Sequence, residues 1–242
     1  MQADLTNRIA LVTGAGGGIG RAIASALAEH GATVCLAGRN ASGLEALRDK
    51  LQARSPAHAY VCDLTQDADV SRLAEGVLRD HARLDILIHS AGAIALGAIE
   101  SMPIGDLDWQ YRVNLRAPFL LTQALLPLLK AAHGQIVFVN SSVGTRVKEG
   151  VGGYAATKHA LKAVADTLRM EVNPLGIRVL SVYPGNTATP MQQAIQRQTG
   201  QHIAPENLLA PEDVAAVILN ALLLPRTAEV TDIHLRPLGK PR

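Results

Sequence analysis

Apolar and polar positions alternate along the chain in a regular succession of short and long blocks. Short apolar runs at residues 8–13, 33–37, 58–62, 85–89, 135–140, 177–182 and 230–235 predict seven strands. Between them lie longer segments with apolar residues at helical spacing. These are residues 19–30, closed by Gly31, then 42–53 and 67–81, and a long stretch over 104–132 in which Pro118 and Pro127 mark starts or kinks. Further helices are predicted over 153–173, closed by Pro174 and Gly176, and over 211–223. Residues 187–209 are polar and rich in glutamine. Strands alternating with helices imply βαβ units, right-handed crossovers and a parallel sheet. With no linker, repeat or low-complexity tract, the expected architecture is one doubly wound, Rossmann-type α/β domain, with a mostly parallel seven-stranded sheet and helices on both faces.

Composition narrows the function classes. The 242 residues are 48% hydrophobic, enough for a large core, and the formal net charge is +2. No basic stripe of the kind that binds nucleic acid is present, and Arg236, Lys240 and Arg242 read as a solvated tail. No apolar run reaches the ~20 residues of a membrane span; the most apolar stretch, 117–129, is interrupted by Thr122, Gln123 and Pro127. Residues 1–7 lack the apolar segment of a signal peptide. Cys35 and Cys62 each sit in a strand-like run and read as buried free thiols, which suits a cytoplasmic protein. The apolar helix around 120–129 and an alanine-rich helix face after residue 153 exceed what one sheet face covers, so a second copy is expected against them.

The first predicted strand runs into Thr13-Gly-Ala-Gly-Gly-Gly-Ile-Gly20 and then a helix. Glycines allow a sharp turn, and a helix N-terminus offers free N–H groups and the positive dipole end to a pyrophosphate. Gly14, Gly16, Gly18, Ile19 and Gly20 are therefore candidate dinucleotide contacts, although the spacing is not that of the usual fingerprint. The slot that reads the ribose holds Gly38-Arg39-Asn40 with no carboxylate, and Arg39 is suited to a 2′-phosphate, which favours NADP(H) over NAD(H). Asp63, with Leu64, ends the third strand at the adenine edge; a plain turn aspartate is the competing reading. Ser90, Ala91 and Gly92 follow the fourth strand, where small residues let a cofactor lie against the backbone.

Tyr154 and Lys158 are one helical turn apart on one face. A free tyrosine is a poor base at neutral pH, and a neighbouring ammonium is expected to lower its pKa. Ser141 ends the fifth strand, with Ser142 as the competing hydroxyl, and Asn114 is a polar residue among Val113 and Leu115. On its own that asparagine reads as a structural hydrogen-bonder.

Taken together and in this order, Thr-Gly-x-x-x-Gly-x-Gly, Asn114-Leu, Ser141, Tyr154-x-x-x-Lys158 and Pro184-Gly185 resemble the short-chain dehydrogenase/reductase family over about residues 5–235. The resemblance implies an enzyme acting on the CH–OH group of a donor, a secondary alcohol interconverted with a ketone or aldehyde. It implies a relay of Asn114, Ser141, Tyr154 and Lys158: Tyr154 gives or takes the hydroxyl proton, Ser141 holds the carbonyl oxygen, Lys158 binds the nicotinamide ribose and lowers the tyrosine pKa, and Asn114 supports a relay water. The family serine precedes the tyrosine by 13 residues, which selects Ser141. Pro184, Gly185 and Thr187 to Thr189 match the segment that touches the nicotinamide, and residues 186–210 the substrate lid. A homotetramer, or else a homodimer, is implied.

The chain departs from the family in three places. His89-Ser90-Ala91-Gly92 stands for Asn-Asn-Ala-Gly, Gly17 supplies no basic residue in the glycine turn, and the ending Glu229-Val-Thr-Asp-Ile-His-Leu-Arg-Pro237 looks more like the branch of 3-hydroxy acid and serine dehydrogenases. Arg146 and Lys148 are candidate partners for a substrate carboxylate, with two solvated loop charges as the favoured competing reading, Met191 and Ile195 are a candidate apolar wall, and no metal site is expected. A non-catalytic NADP sensor of the same fold is the alternative, though it has no need of a proton relay. An epimerase or dehydratase needs a larger C-terminal part.

Overall fold

The computed structural model describes residues 4–239; of the basic tail, Lys240 and Arg242 lie outside them, as do the first residues of the leader reading. Seven strands form one sheet: β1 (Ile9–Thr13), β2 (Thr33–Gly38), β3 (Ala57–Val61), β4 (Ile86–His89), β5 (Gln135–Val139), β6 (Arg178–Pro184) and β7 (Asp232–Leu235). Their order is β3-β2-β1-β4-β5-β6-β7 and every pairing is parallel. The chain moves outward from β1 to β3, returns to β4 beside β1, and continues the other way. The reversal between β1 and β4 opens a crevice at the strands' carboxyl ends.

The central strands are apolar on both faces because helices cover both. On one side pack α1 (Gly18–Glu29), α2 (Ala41–Gln52) and α8 (Pro211–Leu222). On the other pack α3 (Asp67–Asp80), α5 (Ala117–Ala132) and α6 (Gly152–Val172). In α3 the buried positions Val70, Leu73, Ala74 and Val77 fall at i, i+3, i+4 and i+7, one stripe on the sheet.

Two differences from the sequence expectation bear on the site. The helix expected over 104–132 runs without a gap but is not α-helical throughout: α4 (Ile104–Tyr111) passes into a π turn at Arg112–Arg116 before α5 begins, with Pro118 in its first turn. The π turn lies where no proline or glycine marks it. The polar, glutamine-rich segment after β6, in which no element is predicted, contains α7 (Pro190–Thr199). Thr189 caps it by accepting from the Gln192 amide at 3.2 Å, Pro190 opens it, and Gly200 closes it in the left-handed conformation.

Candidate active site

One cavity of about 920 Å³ lies across the carboxyl ends of the strands. Its first wall is the turn from β1 into α1. Gly14 has φ 69°, and a side chain there would stand 2.8 Å from the Ala91 backbone. Thr13 closes the joint: its hydroxyl donates to the Ile88 carbonyl (3.3 Å) and accepts from the amides of Ser90 (3.1 Å) and Ala91 (3.3 Å). The turn after β1 and the Ser90-Ala91-Gly92 turn after β4 are thus one unit. Gly14, Gly18, Ile19 and Gly20 line the cavity, as do Ser90, Ala91 and Gly92. Gly16 does not; Gly17 takes that place. A side chain at either would meet nothing within 4 Å, so the turn leaves an open cradle. The buried Ser90 hydroxyl has no hydrogen-bond partner among the described residues.

Arg39 lines the cavity at the end of β2, exposed, with no ion pair or side-chain hydrogen bond among the described residues. Asp63 and Leu64 line it beyond β3. One Asp63 oxygen accepts from the Thr65 amide at 3.0 Å, so this carboxylate also serves its own turn. The His89 departure is absorbed by packing. The ring is buried, stacks on Phe138 with centroids 4.9 Å apart and bonds the Thr122 hydroxyl at 2.8 Å. Burial pulls its pKa down to about 3, so it is a neutral core residue.

Ser141, Tyr154 and Lys158 share the opposite wall. The Ser141 hydroxyl accepts from the Val143 amide at 3.2 Å and lies on the same wall as the Tyr154 phenol, whose pKa it lowers. Ser142 lines the same cavity but begins a short 3-10 turn and is not among the groups that act on the phenol. Lys158 is buried, its Nζ 5.8 Å from the Tyr154 ring centre and donating to the Val139 carbonyl at 3.1 Å. Asn140, which sequence reasoning passed over, holds this corner. Its amide donates to the Lys158 carbonyl (3.0 Å) and its oxygen accepts from the Ser141 amide (2.9 Å), fixing the end of β5 against α6.

The electrostatics correct one expectation. Burial pushes the Tyr154 phenol up to about 12, offset in part by the neighbouring Ser141 hydroxyl, and Lys158 is not among the groups that lower it. Burial also brings Lys158 down to about 8. Both groups sit in the same dry wall, where each charged form is disfavoured.

Asn114 is buried in the π turn, and its side chain is fully engaged. Its oxygen accepts from the Ala93 amide (2.8 Å); its two amide hydrogens go to the Ala93 carbonyl (2.8 Å) and the Thr157 hydroxyl (3.0 Å). Neither hydrogen is left for a water, so the side chain is a clamp between the turn after β4 and α6. Gln110 extends the clamp by accepting from Ala95 at 3.0 Å.

Pro184, Gly185, Thr187 and Met191 line the cavity, although the Thr187 hydroxyl is spent on the Gly185 carbonyl (3.0 Å). Thr189, at the start of α7, packs where a side chain on Gly18 would stand. The segment from Asn186 is pinned at its base by Leu209, which bonds Asn186 and Ala188 (2.9 and 2.8 Å). Of the two basic residues assigned to substrate, Lys148 lines the cavity and Arg146 does not. Sequence reasoning also missed Trp109 on α4, because a lone aromatic in a helix gives no sign of which way it faces. Among the described residues no three metal-ligating side chains cluster, and no helix is long and apolar enough to cross a membrane.

The doubly wound fold is shared with known proteins. Residues 8–200 match the model of the short chain dehydrogenase family. An uncharacterized oxidoreductase of Staphylococcus aureus (strain N315) is 33% identical over 235 residues, 97% of this chain and 99% of that protein. Among solved structures, the alcohol dehydrogenase of the archaeon Thermococcus sibiricus complexed with 5-hydroxy-NADP superposes with a TM-score of 0.89 at 27% identity, covering 97% of this chain and 99% of that one. The Pseudomonas aeruginosa RhlG/NADP complex gives 0.87 at 28% identity, covering 98% and 99%. The chain belongs to the short-chain dehydrogenase family of oxidoreductases.

Proposed function

We propose that the chain is an NADP(H)-dependent oxidoreductase that interconverts a secondary alcohol and a ketone or aldehyde, with Tyr154 as acid/base. The observation that carries this is the meeting of Ser141, Tyr154 and Lys158 on one cavity wall, facing the glycine cradle. The cradle suits a dinucleotide. It is open at Gly16 and Gly17, it carries an unpartnered Ser90 hydroxyl, and Arg39 waits unpaired where a ribose 2′-phosphate would lie. NADP complexes among the structural relatives support the same reading. Bound NADPH would supply the hydride that reduces a carbonyl carbon, and NADP⁺ would accept one in the reverse direction.

The chain's own groups handle the proton. With its pKa near 12 the phenol is protonated at neutral pH, so Tyr154 is set to donate to a carbonyl oxygen. Ser141 holds that oxygen beside the phenol. Lys158 keeps a positive charge near the developing alkoxide below about pH 8. Asn114, Gln110 and Asn140 position rather than react. Residues 186–210, with α7, form the lid of a single domain. Exposed Ile104, Tyr111 and Phe119 around α4 and α5, with Met170 on α6, support assembly with further copies as a tetramer or dimer. The buried Cys35 and Cys62 thiols suit the cytoplasm.

The test is a parallel titration of the purified protein with NADPH and NADH, followed by turnover of a small dicarbonyl. Tight NADPH, weaker NADH and turnover support the reading. NADPH binding without turnover of any carbonyl would favour a sensor instead.

A further inference from the structure

We infer that the substrate is a ketone carrying an uncharged, apolar carbon chain, which lies against Leu96, Val151, Met191, Ile195 and Ile203. This rests on the function proposed above and adds the substrate class.

The cavity divides by chemistry. Around the glycine cradle it is polar. Around Tyr154 three elements bring apolar side chains together, with Gln192, Gln198, Thr199 and Gln201 of the lid segment also on the lining. Val151, three residues before the tyrosine, is bridged to Gly97, whose amide donates to the Gly150 carbonyl at 2.9 Å; this brings Leu96 beside the phenol's helix. From the lid, Met191 and Ile195 stand at i and i+4 on α7 and share its inner face. Met191 reaches the reacting corner. A Cβ on Gly92 would be 3.7 Å from its Cε and 4.0 Å from the Lys158 Nζ. Beyond α7 the chain folds back, the Ile203 amide donating to the Gln196 oxygen at 2.7 Å, and Ile203 joins the same wall.

Charge is absent from this lining except at the rim. Apart from Lys158, its charged members are Lys148 and Glu149, adjacent, exposed and of opposite sign. Arg146 is outside the wall, and the cation at the rim, Lys148, has a carboxylate neighbour of opposite sign, which weakens it as an anchor for a substrate carboxylate. A hydroxy acid substrate, hinted at by the C-terminal sequence, is therefore disfavoured. An apolar chain gains from every methylene it buries against Leu96, Val151, Met191, Ile195 and Ile203, whereas hydroxyls placed on those side chains would be unpaired.

The experiment measures kcat/KM with NADPH for methyl ketones of increasing length, from 2-butanone to 2-nonanone, with 2-oxobutanoate and dihydroxyacetone for contrast and 2,3-butanedione as a common reference. The expected result is a rise of about fourfold per methylene until the chain passes the rim, with the oxo acid and dihydroxyacetone well below the ketones. In Ile195→Ser the slope with chain length, rather than the level, is the readout, and it should flatten. A flat series in the wild type while 2,3-butanedione is reduced would overturn this inference and leave the proposed function standing, as would 2-oxobutanoate turned over as fast as 2-butanone. Failure to reduce any of these carbonyls would strike the proposed function itself, and this inference with it.

Discussion

Replacing Lys158 by methionine should make the protein more stable and less active. Lys158 is 2% exposed, and burial lowers its pKa from 10.5 to about 8. At pH 7 the lysine is charged in both folded and unfolded chains, so this lowering corresponds to about 3 kcal/mol by which the buried ammonium opposes folding. Methionine matches its length and carries no charge. Against this stands the lost hydrogen bond to the Val139 carbonyl, about 1 kcal/mol. The variant should therefore gain about 2 kcal/mol at pH 7. The sign with pH follows from linkage. Between about pH 8 and 10.5 the unfolded lysine holds a proton that the folded one has released, so the wild type regains stability as pH rises and the variant's advantage shrinks and then reverses. Urea unfolding of both proteins at pH 7 and pH 10, with m values compared, reads this directly. A variant less stable than wild type at pH 7, or a difference that does not change with pH, would refute the reasoning.

Other expectations follow from the same geometry. Arg39→Asp should reverse the NADPH-over-NADH preference, since it removes the unpaired guanidinium and adds a ribose acceptor; an unchanged ratio of the two affinities would dismiss Arg39 as the selector. Asn114→Ala should cost about 2–4 kcal/mol, because it strands the buried Ala93 amide and carbonyl, and Asn114→Asp should melt no higher, since it sets a buried carboxylate oxygen against the Ala93 carbonyl; thermal melts with the aspartate variant well above the alanine one would contradict this. With Tyr154 near 12, alcohol oxidation should climb between pH 7 and 10 as the phenolate fraction grows, and carbonyl reduction should not; parallel climbing of both rates would contradict the assignment.

The strands and most helices were legible because alternating apolar blocks and glycine or proline stops mark them. The parallel, doubly wound character of the sheet followed from the βαβ pattern; the strand order is read from the structure. What escaped was set by contacts distant in sequence. The π turn at Arg112–Arg116 has no breaker residue; only Asn114 among apolar neighbours signalled it, and the pull comes from Ala93 and Thr157. Helix α7 hid behind glutamines, although Thr189-Pro190 and Gly200 were its cap, start and stop. Spacing identified Tyr154 and Lys158 as neighbours. It carried no information on burial, which decides that the phenol's pKa moves up and not down. Arg146 and Lys148 are two residues apart, yet only Lys148 lines the cavity, a matter of loop direction that composition cannot express.

The central claim is that Tyr154 transfers the substrate proton while the glycine cradle and Arg39 hold the cofactor. The most direct test is Tyr154→Phe, assayed side by side with the wild type for NADPH binding and for NADPH-dependent reduction of 2,3-butanedione. The account predicts nearly unchanged NADPH affinity and a loss in kcat of at least about 10²–10⁴-fold, since only the proton donor is gone. Full turnover by the phenylalanine variant, with NADPH bound, would contradict it.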